Sequence, residues 1–357
     1  MDSEELREEY SKSRRRKYIF IAACVVLTFI FAWISLGVGT RELSFSEVFR
    51  LLDLHFSGYE FPERSQDAFD DNIIWDYRIP RTLLAVIAGA ILAIAGSVMQ
   101  SVMKNPLADP YTTGVSSGAL FGVAIAMVLG FSVGHGIFGS FGTIANAIIF
   151  SLIPVVVIVV MSPFFRKSPS TLILAGVATS YLFNSLTALM LVSTNEETLE
   201  EVYHWEVGNL AELGWEPVWV LLVVLIIGAG ILWPMANKLN LMSLDDKDAK
   251  ALGLDGRKLR VLCLTVLTLM TSFVIAFTGI IGFVGLVIPH MVRMVLGSDN
   301  RFIIPAAMAF GSFFLLFCDI IARSVDVGAS IPIGVVTSLI GAPIFLYLII
   351  RQKKGIW

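Results

Sequence analysis

Residues 18–38 read YIFIAACVVLTFIFAWISLGV, an unbroken run without a charged side chain, entered directly from Arg14-Arg15-Arg16-Lys17. At 1.5 Å rise per residue such a helix extends about 30 Å, the thickness of a bilayer's hydrocarbon core. A cationic flank is what the cytoplasmic start of a spanning helix carries. No small-x-small cleavage site follows cleanly. The run therefore reads as an uncleaved first helix with its N-terminus in the cytoplasm, not as a signal peptide.

Working outward, comparable apolar runs recur at roughly 81–103, 112–130, 142–163, 171–193, 216–236, 259–281, 283–296, 302–322 and 332–350. The run at 283–296 is short and broken by Pro289, so it is open to being a partial span. Composition agrees with this density of spans. Of the 357 residues, 56% are hydrophobic and 15% charged, with a mean hydropathy of +0.79. Soluble chains carry about 25% charged residues. Too little polar material is present to cover a core, so lipid must be the solvent for much of the surface. The expectation is an all-α polytopic membrane protein of about ten transmembrane helices. Its parts are a cytoplasmic tail 1–17, a membrane domain 18–350 and a cytoplasmic tail 351–357. An external loop 39–77 and a cytoplasmic segment 237–258 belong to the membrane domain.

Charge tests the parity of that topology. Segments 1–17, 104–111, 164–170, 237–258, 297–301 and 351–357 fall inside if the N-terminus does. Of the 26 lysines and arginines, only Arg41, Arg50, Arg64, Arg78, Arg81 and Arg323 fall outside. This is the asymmetry the positive-inside rule requires, and it supports an even number of crossings. The acidic groups Asp67, Asp70, Asp71 and Glu196, Glu197, Glu200, Glu201 read as solvated loop surface. A net charge of -3 says nothing about nucleic acid, and no basic stripe points to such a partner.

The spans hold almost no ionisable groups. Asp319 is the main exception, and Arg323 lies four residues later on the same helical face, so a local pair explains it. An ion-coupled secondary carrier needs buried carboxylates or broken helices at mid-depth; a channel needs a filter or a charged ring. Neither pattern is visible. No glycine is followed directly by lysine, which excludes a Walker A loop, and neither H-E-x-x-H nor G-x-S-x-G occurs. No catalytic residue, cofactor or metal site is expected. Cys24, Cys263 and Cys318 lie in apolar runs without CxxC spacing, and the four histidines are scattered. Transport by such a chain needs an external motor. The segment 237–258 offers it a place to act. Ser243 is a candidate N-cap with Asp246 three residues on, Leu244, Ala251 and Leu252 recur at helical spacing, and Gly253 follows as a C-cap. A short helix between two spans suits a protein partner, because Asp245, Asp246 and Asp248 disfavour an anionic leaflet. Small residues such as Gly89-Ala90, Ala95-Gly96 and Gly114 through Ala119 mark close helix packing.

Several ordered motifs carry a resemblance. Tyr77-Arg78-Ile79-Pro80-Arg81-Thr82-Leu83 leads through Gly89-Ala90 to Asn105-Pro106-Leu107-Ala108-Asp109-Pro110 and Gly114-Val115-Ser116-Ser117-Gly118-Ala119. Leu239-Asn240-Leu241-Met242-Ser243-Leu244 and Gly282-Phe283-Val284-Gly285 through Pro289-His290-Met291-Val292-Arg293 follow. Asp319-Ile320-Ile321-Ala322-Arg323 and Pro332-Ile333-Gly334 close the series. From about residue 75 to 350 the chain resembles the FecCD-type permease family of type II ABC importers, which carry ferric siderophores, haem, cobalamin and, in some members, molybdate. The resemblance implies a bacterial or archaeal cytoplasmic (inner) membrane location. It implies a second permease subunit, identical or paralogous, two copies of a cytoplasmic ATP-binding cassette ATPase, and an external substrate-binding protein. Family arginines that meet the binding protein match Arg78, Arg81 and Arg323. The family's coupling helices match Leu244 to Gly253, with Asp245 where a glycine is common. Ser170 is the nearest match to a gate residue. On family frequency the implied cargo is a ferric siderophore.

Overall fold

The computed structural model describes residues 3–133, 141–161, 170–211, 213–244, 246–325 and 331–351. Every regular element among them is helical. Eight helices are long and apolar enough to cross a membrane. They are α1 (Ser3–Gly37), α4 (Ile79–Met103), α6 (Phe141–Met161), α7 (Ser170–Val192), α9 (Glu216–Leu232), α12 (Gly256–Thr278), α14 (Asn300–Ser324) and α15 (Ile333–Arg351). Two apolar helices are shorter, α5 (Val115–Leu129) and α13 (Val284–Leu296). The remaining elements connect them: α2 (Phe45–Phe56), α3 (Gln66–Asn72), α8 (Glu196–Glu206), α10 (Ala236–Leu241) and α11 (Asp246–Ala251).

The ten apolar helices stand where ten runs were read, with two adjustments. The 13 residues of α13 reach only about 20 Å, so it is the short span expected. The run 112–130 also shortens. Asp109 accepts a hydrogen bond from the Tyr111 amide at 2.9 Å and opens a 3-10 turn over Pro110–Thr113. Gly114 then takes a left-handed φ of 90°, and the α-helix begins only at Val115. Proline and glycine thus convert the first turn of the apolar run into a connector.

α4 is the hub. Every residue from Ile87 to Met103 is buried, which is possible because so many are alanine, glycine or serine. A Cβ on Gly89 would collide with the Gly311 carbonyl of α14, and one on Gly311 with the Gly89 carbonyl. A Cβ on Gly96 would collide with the Gly285 carbonyl of α13. Backbone-to-backbone approach is the source of dispersion energy where lipid removes the hydrophobic drive between helices. The stripe Gly114–Ala119 serves the same purpose between α5 and α6. Gly118 and Gly122 face the Phe150 and Asn146 carbonyls, and buried Asn146 donates to the carbonyls of Gly122 (3.2 Å) and Phe131 (2.8 Å).

Candidate functional site

Two opposite ends of the bundle hold the polar chemistry. At one end meet the end of α1, the start of α4 and the end of α14. A π-helical turn, Ile73–Arg78, precedes α4, with the Ile79 amide bonded to the Ile74 carbonyl. Pro80, with no amide hydrogen, stands in the first turn of α4, so the wider turn joins α3 to α4 without a break. Arg78 is turned inward and is only 5% exposed. It donates to the Leu36 carbonyl at 2.5 Å and to the Arg41 carbonyl. Arg81 donates through Nε to Asp319 Oδ1 at 2.8 Å, and Arg323 Nη2 stands 2.9 Å from Asp319 Oδ2. Arg323 also donates to the carbonyls of Ser35 (3.1 Å) and Val38 (3.2 Å) and to the Ser35 hydroxyl, which shares a 2.6 Å hydrogen bond with Thr82.

The structure therefore gathers the three arginines singled out in the sequence at one end of the bundle, Arg81 and Arg323 on the Asp319 carboxylate of 0% exposure and Arg78 on backbone carbonyls. The local Asp319–Arg323 pair is present, and Arg81 joins it from 238 residues away. All three guanidinium groups are engaged within the chain. The cations that face outward here are Arg41, Arg50 and Arg64.

The acidic cluster at 67–71 departs from the solvated loop surface expected. Asp70 and Asp71 are buried. Asp70 pairs with Arg41, and Asp71 Oδ2 meets His55 Nδ1 at 2.8 Å. Asp67 is half-buried and takes two hydrogen bonds from Arg50, at 3.0 and 2.7 Å, which hold it below the usual carboxylate range. The Arg50 and His55 pairs fasten α3 to α2, and the Arg41 pair ties it to the chain between α1 and α2. Glu196, Glu197, Glu200 and Glu201 stay exposed on α8, as read.

The other end carries the segment 237–258. Where one short helix was expected, two stand, α10 and α11, and Gly253 closes α11 with a φ of 81°, while the Leu254 amide donates to the Ala249 carbonyl at 3.0 Å. This is the left-handed C-cap read from the sequence. α11 begins at Asp246, and the Ser243 hydroxyl donates back to the Asn240 carbonyl at 2.7 Å, closing the turn after α10. Asp245, and the side chain of Asp246, lie outside the described residues, as does the side chain of Ser170, the first residue of α7. Leu244 and Leu252 are 40% and 61% exposed, and Ala251 and Gly253 are exposed beside them.

This segment is gripped from the bundle. Lys104, in a left-handed conformation at the end of α4, donates to the Leu244 carbonyl at 2.7 Å. Asn240 accepts from the Asn300 amide and side chain at 2.8 and 2.9 Å and donates to Asp299 at 2.8 Å. Burial pushes Asp299 up, but hydrogen bonds from Arg301 and Asn240 outweigh it and leave the carboxyl below its usual range. Deeper in, buried Arg293 of α13 donates to the Ser97 carbonyl (3.0 Å), the Ser101 hydroxyl (2.7 Å) and Asn300 Oδ1 (3.3 Å). A hydrogen-bonded chain thus runs from α4 and α13 through α14 to the residues just before α11. Sequence reading missed it. Its one signal was an arginine in an apolar helix, Arg293, which had been counted with the neighbouring loop.

Between these ends, Asp109 is buried beside Gly285. Its carboxylate accepts from the Tyr111 amide at 2.9 Å. Tyr111 donates its hydroxyl to the Ile281 carbonyl at 3.0 Å. No group of three metal-ligating side chains occurs among the described residues. Long apolar side chains of α7 and α15 remain uncovered, including Tyr181, Leu189, Leu339 and Leu346.

Comparison with known proteins places this architecture. The profile of the FecCD transport family matches residues 27–351. The molybdate import system permease protein of Haemophilus influenzae is 36% identical over 92% of this chain and 95% of its own length. The hemin transport system permease protein of Yersinia pestis is 34% identical over 79% of this chain and 84% of its own. An ABC transporter assigned to the metal-chelate type, solved in an inward-facing conformation, superposes with a TM-score of 0.80 at 34% identity, covering 93% of this chain and 99% of that one. The match spans nearly the whole sequence and the fold: the chain belongs to the FecCD transport family, as an integral membrane permease of an ABC importer and not itself an enzyme.

Proposed function

We propose that this permease takes a ferric siderophore or a related metal chelate from an external binding protein and passes it across the cytoplasmic membrane, driven by two copies of a separate ATPase. The observation that carries the reading is the short segment around α11. It presents Leu244 and Leu252 between two spans, at the end where the lysines and arginines gather. A connector has no use for apolar side chains displayed on both flanks of a short helix; a partner's cleft does. That end is the cytoplasmic one by the positive-inside rule. Movement of the ATPases would reach the spans through the Lys104–Leu244 and Asn240–Asn300 hydrogen bonds. The uncovered faces of α7 and α15 suit a second permease subunit, with the path between the two.

The binding protein docks at the arginine end. Arg41, Arg50 and Arg64 offer it the outward-facing cations, and Arg78, Arg81 and Arg323, engaged within the chain beneath them, hold that surface in place. Reversal of Arg78 and Arg81 to glutamate tests this: binding-protein docking and uptake are lost while the purified chain still elutes as a single species. Docking and uptake that survive the reversal overturn the assignment. Cargo is tested in proteoliposomes holding the complete importer, offered an ⁵⁵Fe-labelled hydroxamate siderophore, hemin, cyanocobalamin and molybdate in parallel. Saturable uptake of the siderophore alone is expected. Molybdate is the second reading, favoured by the relative named for it that matches over nearly the full chain, and saturable molybdate uptake would replace the siderophore.

A further inference from the structure

We propose that α2 lies along the membrane interface at the arginine end and inserts Phe45, Phe49 and Phe56 into the lipid of that leaflet. The helix has three sides. Val48 and Leu51 are fully buried against Leu36, Leu43 and Ile74, at the ends of the spans. Glu47, Arg50 and Asp53 form a charged side. Between them Phe45, Phe49 and Phe56 fall within an arc of about 40° on a helical projection. They are 50%, 64% and 74% exposed. The helix does not owe its fold to whatever covers that stripe. A capping box, with the Ser44 side chain on the Glu47 amide and Glu47 back on the Ser44 amide, fixes its start, and the Asp67–Arg50 pair holds its charged side.

Continuity with the lipid-facing surface identifies the occupant. The apolar window of α1 is only 11% buried within the chain, so its Phe29, Ile30 and Trp33 face hydrocarbon. α1 ends at Gly37, and a Cβ there would stand 3.4 Å from the Phe45 ring. The stripe therefore begins at the level where α1 leaves the bilayer. Aromatic residues mark the same level on other elements: Trp33 on α1, Tyr77 before α4, and Trp215 and Trp219 at the start of α9, with the Trp215 indole donating to the Trp75 carbonyl at 3.0 Å. Such rings gather at the headgroup boundary. An amphipathic helix at that depth, apolar stripe inward and charges outward, takes lipid chains as its partner.

Spin labels attached to Phe49→Cys and Phe56→Cys, and for comparison to Arg50→Cys and Asp53→Cys, test this in proteoliposomes of the full chain. Cys24, Cys263 and Cys318 are buried and stay unlabelled. The two phenylalanine positions are expected to show an oxygen-to-nickel-chelate accessibility ratio about tenfold above the two charged positions, as a helix half sunk in the interface requires. Equal ratios at all four positions overturn the proposal. So does a low ratio at Phe49 that changes only when binding protein is added, which would make the stripe a protein-docking surface. Bimane at the same sites, quenched by nitroxide lipid, gives an independent reading: strong quenching at Phe49 and Phe56 supports insertion, and none refutes it.

Discussion

Replacing Asp319 by alanine isolates the electrostatic centre of the arginine end. The carboxylate has no exposure and takes Arg81 at 2.8 Å and Arg323 at 2.9 Å. Hydrogen bonds to charged groups contribute about 1.5–3 kcal/mol each. Deleting the anion also strands two guanidinium groups at the edge of the hydrocarbon, and breaking a buried pair from one side costs about 3–5 kcal/mol. Arg81→Ala should cost less, about 1.5–3 kcal/mol, because Asp319 keeps Arg323 and loses one bond. The double variant should cost clearly less than the two single losses added, since the partners act as one unit. Reversible unfolding of the purified chain in mixed SDS micelles, followed by tryptophan emission, reads all three. A loss under about 1 kcal/mol for Asp319→Ala, or strict additivity, would refute the claim that this carboxylate ties α4 to α14.

Gly96→Val drives a side chain into the Gly285 backbone and should cost at least about 1–3 kcal/mol in the same assay, whereas Gly256→Ala, with open space around it, should cost little. Leu244→Asp with Leu252→Asp should weaken co-purification of the ATPase about tenfold or more without shifting unfolding, because both side chains are exposed.

What could be read in advance followed range in the chain. Spans showed because a bilayer demands long apolar runs, and the Asp319–Arg323 pair showed because four residues place two side chains on one helical face. Gly253 showed because a helix end needs a left-handed residue locally. Arg81 on Asp319, Asn240 on Asn300 and Lys104 on Leu244 could not be read, since each partner is chosen by helix packing across 238, 60 and 140 residues. The same cause buried Asp70 and Asp71, whose partners Arg41 and His55 lie on other elements.

The central claim is that this permease moves its cargo only when a separate ATPase drives it. Proteoliposomes holding the chain alone, or the chain with the ATPase and binding protein, test that most directly. Uptake of the labelled chelate should appear only in the complete assembly, stop when ATP is replaced by a non-hydrolysable analogue, and ignore an imposed proton or sodium gradient. Uptake by the chain alone under an ion gradient would contradict the account and make it a secondary carrier.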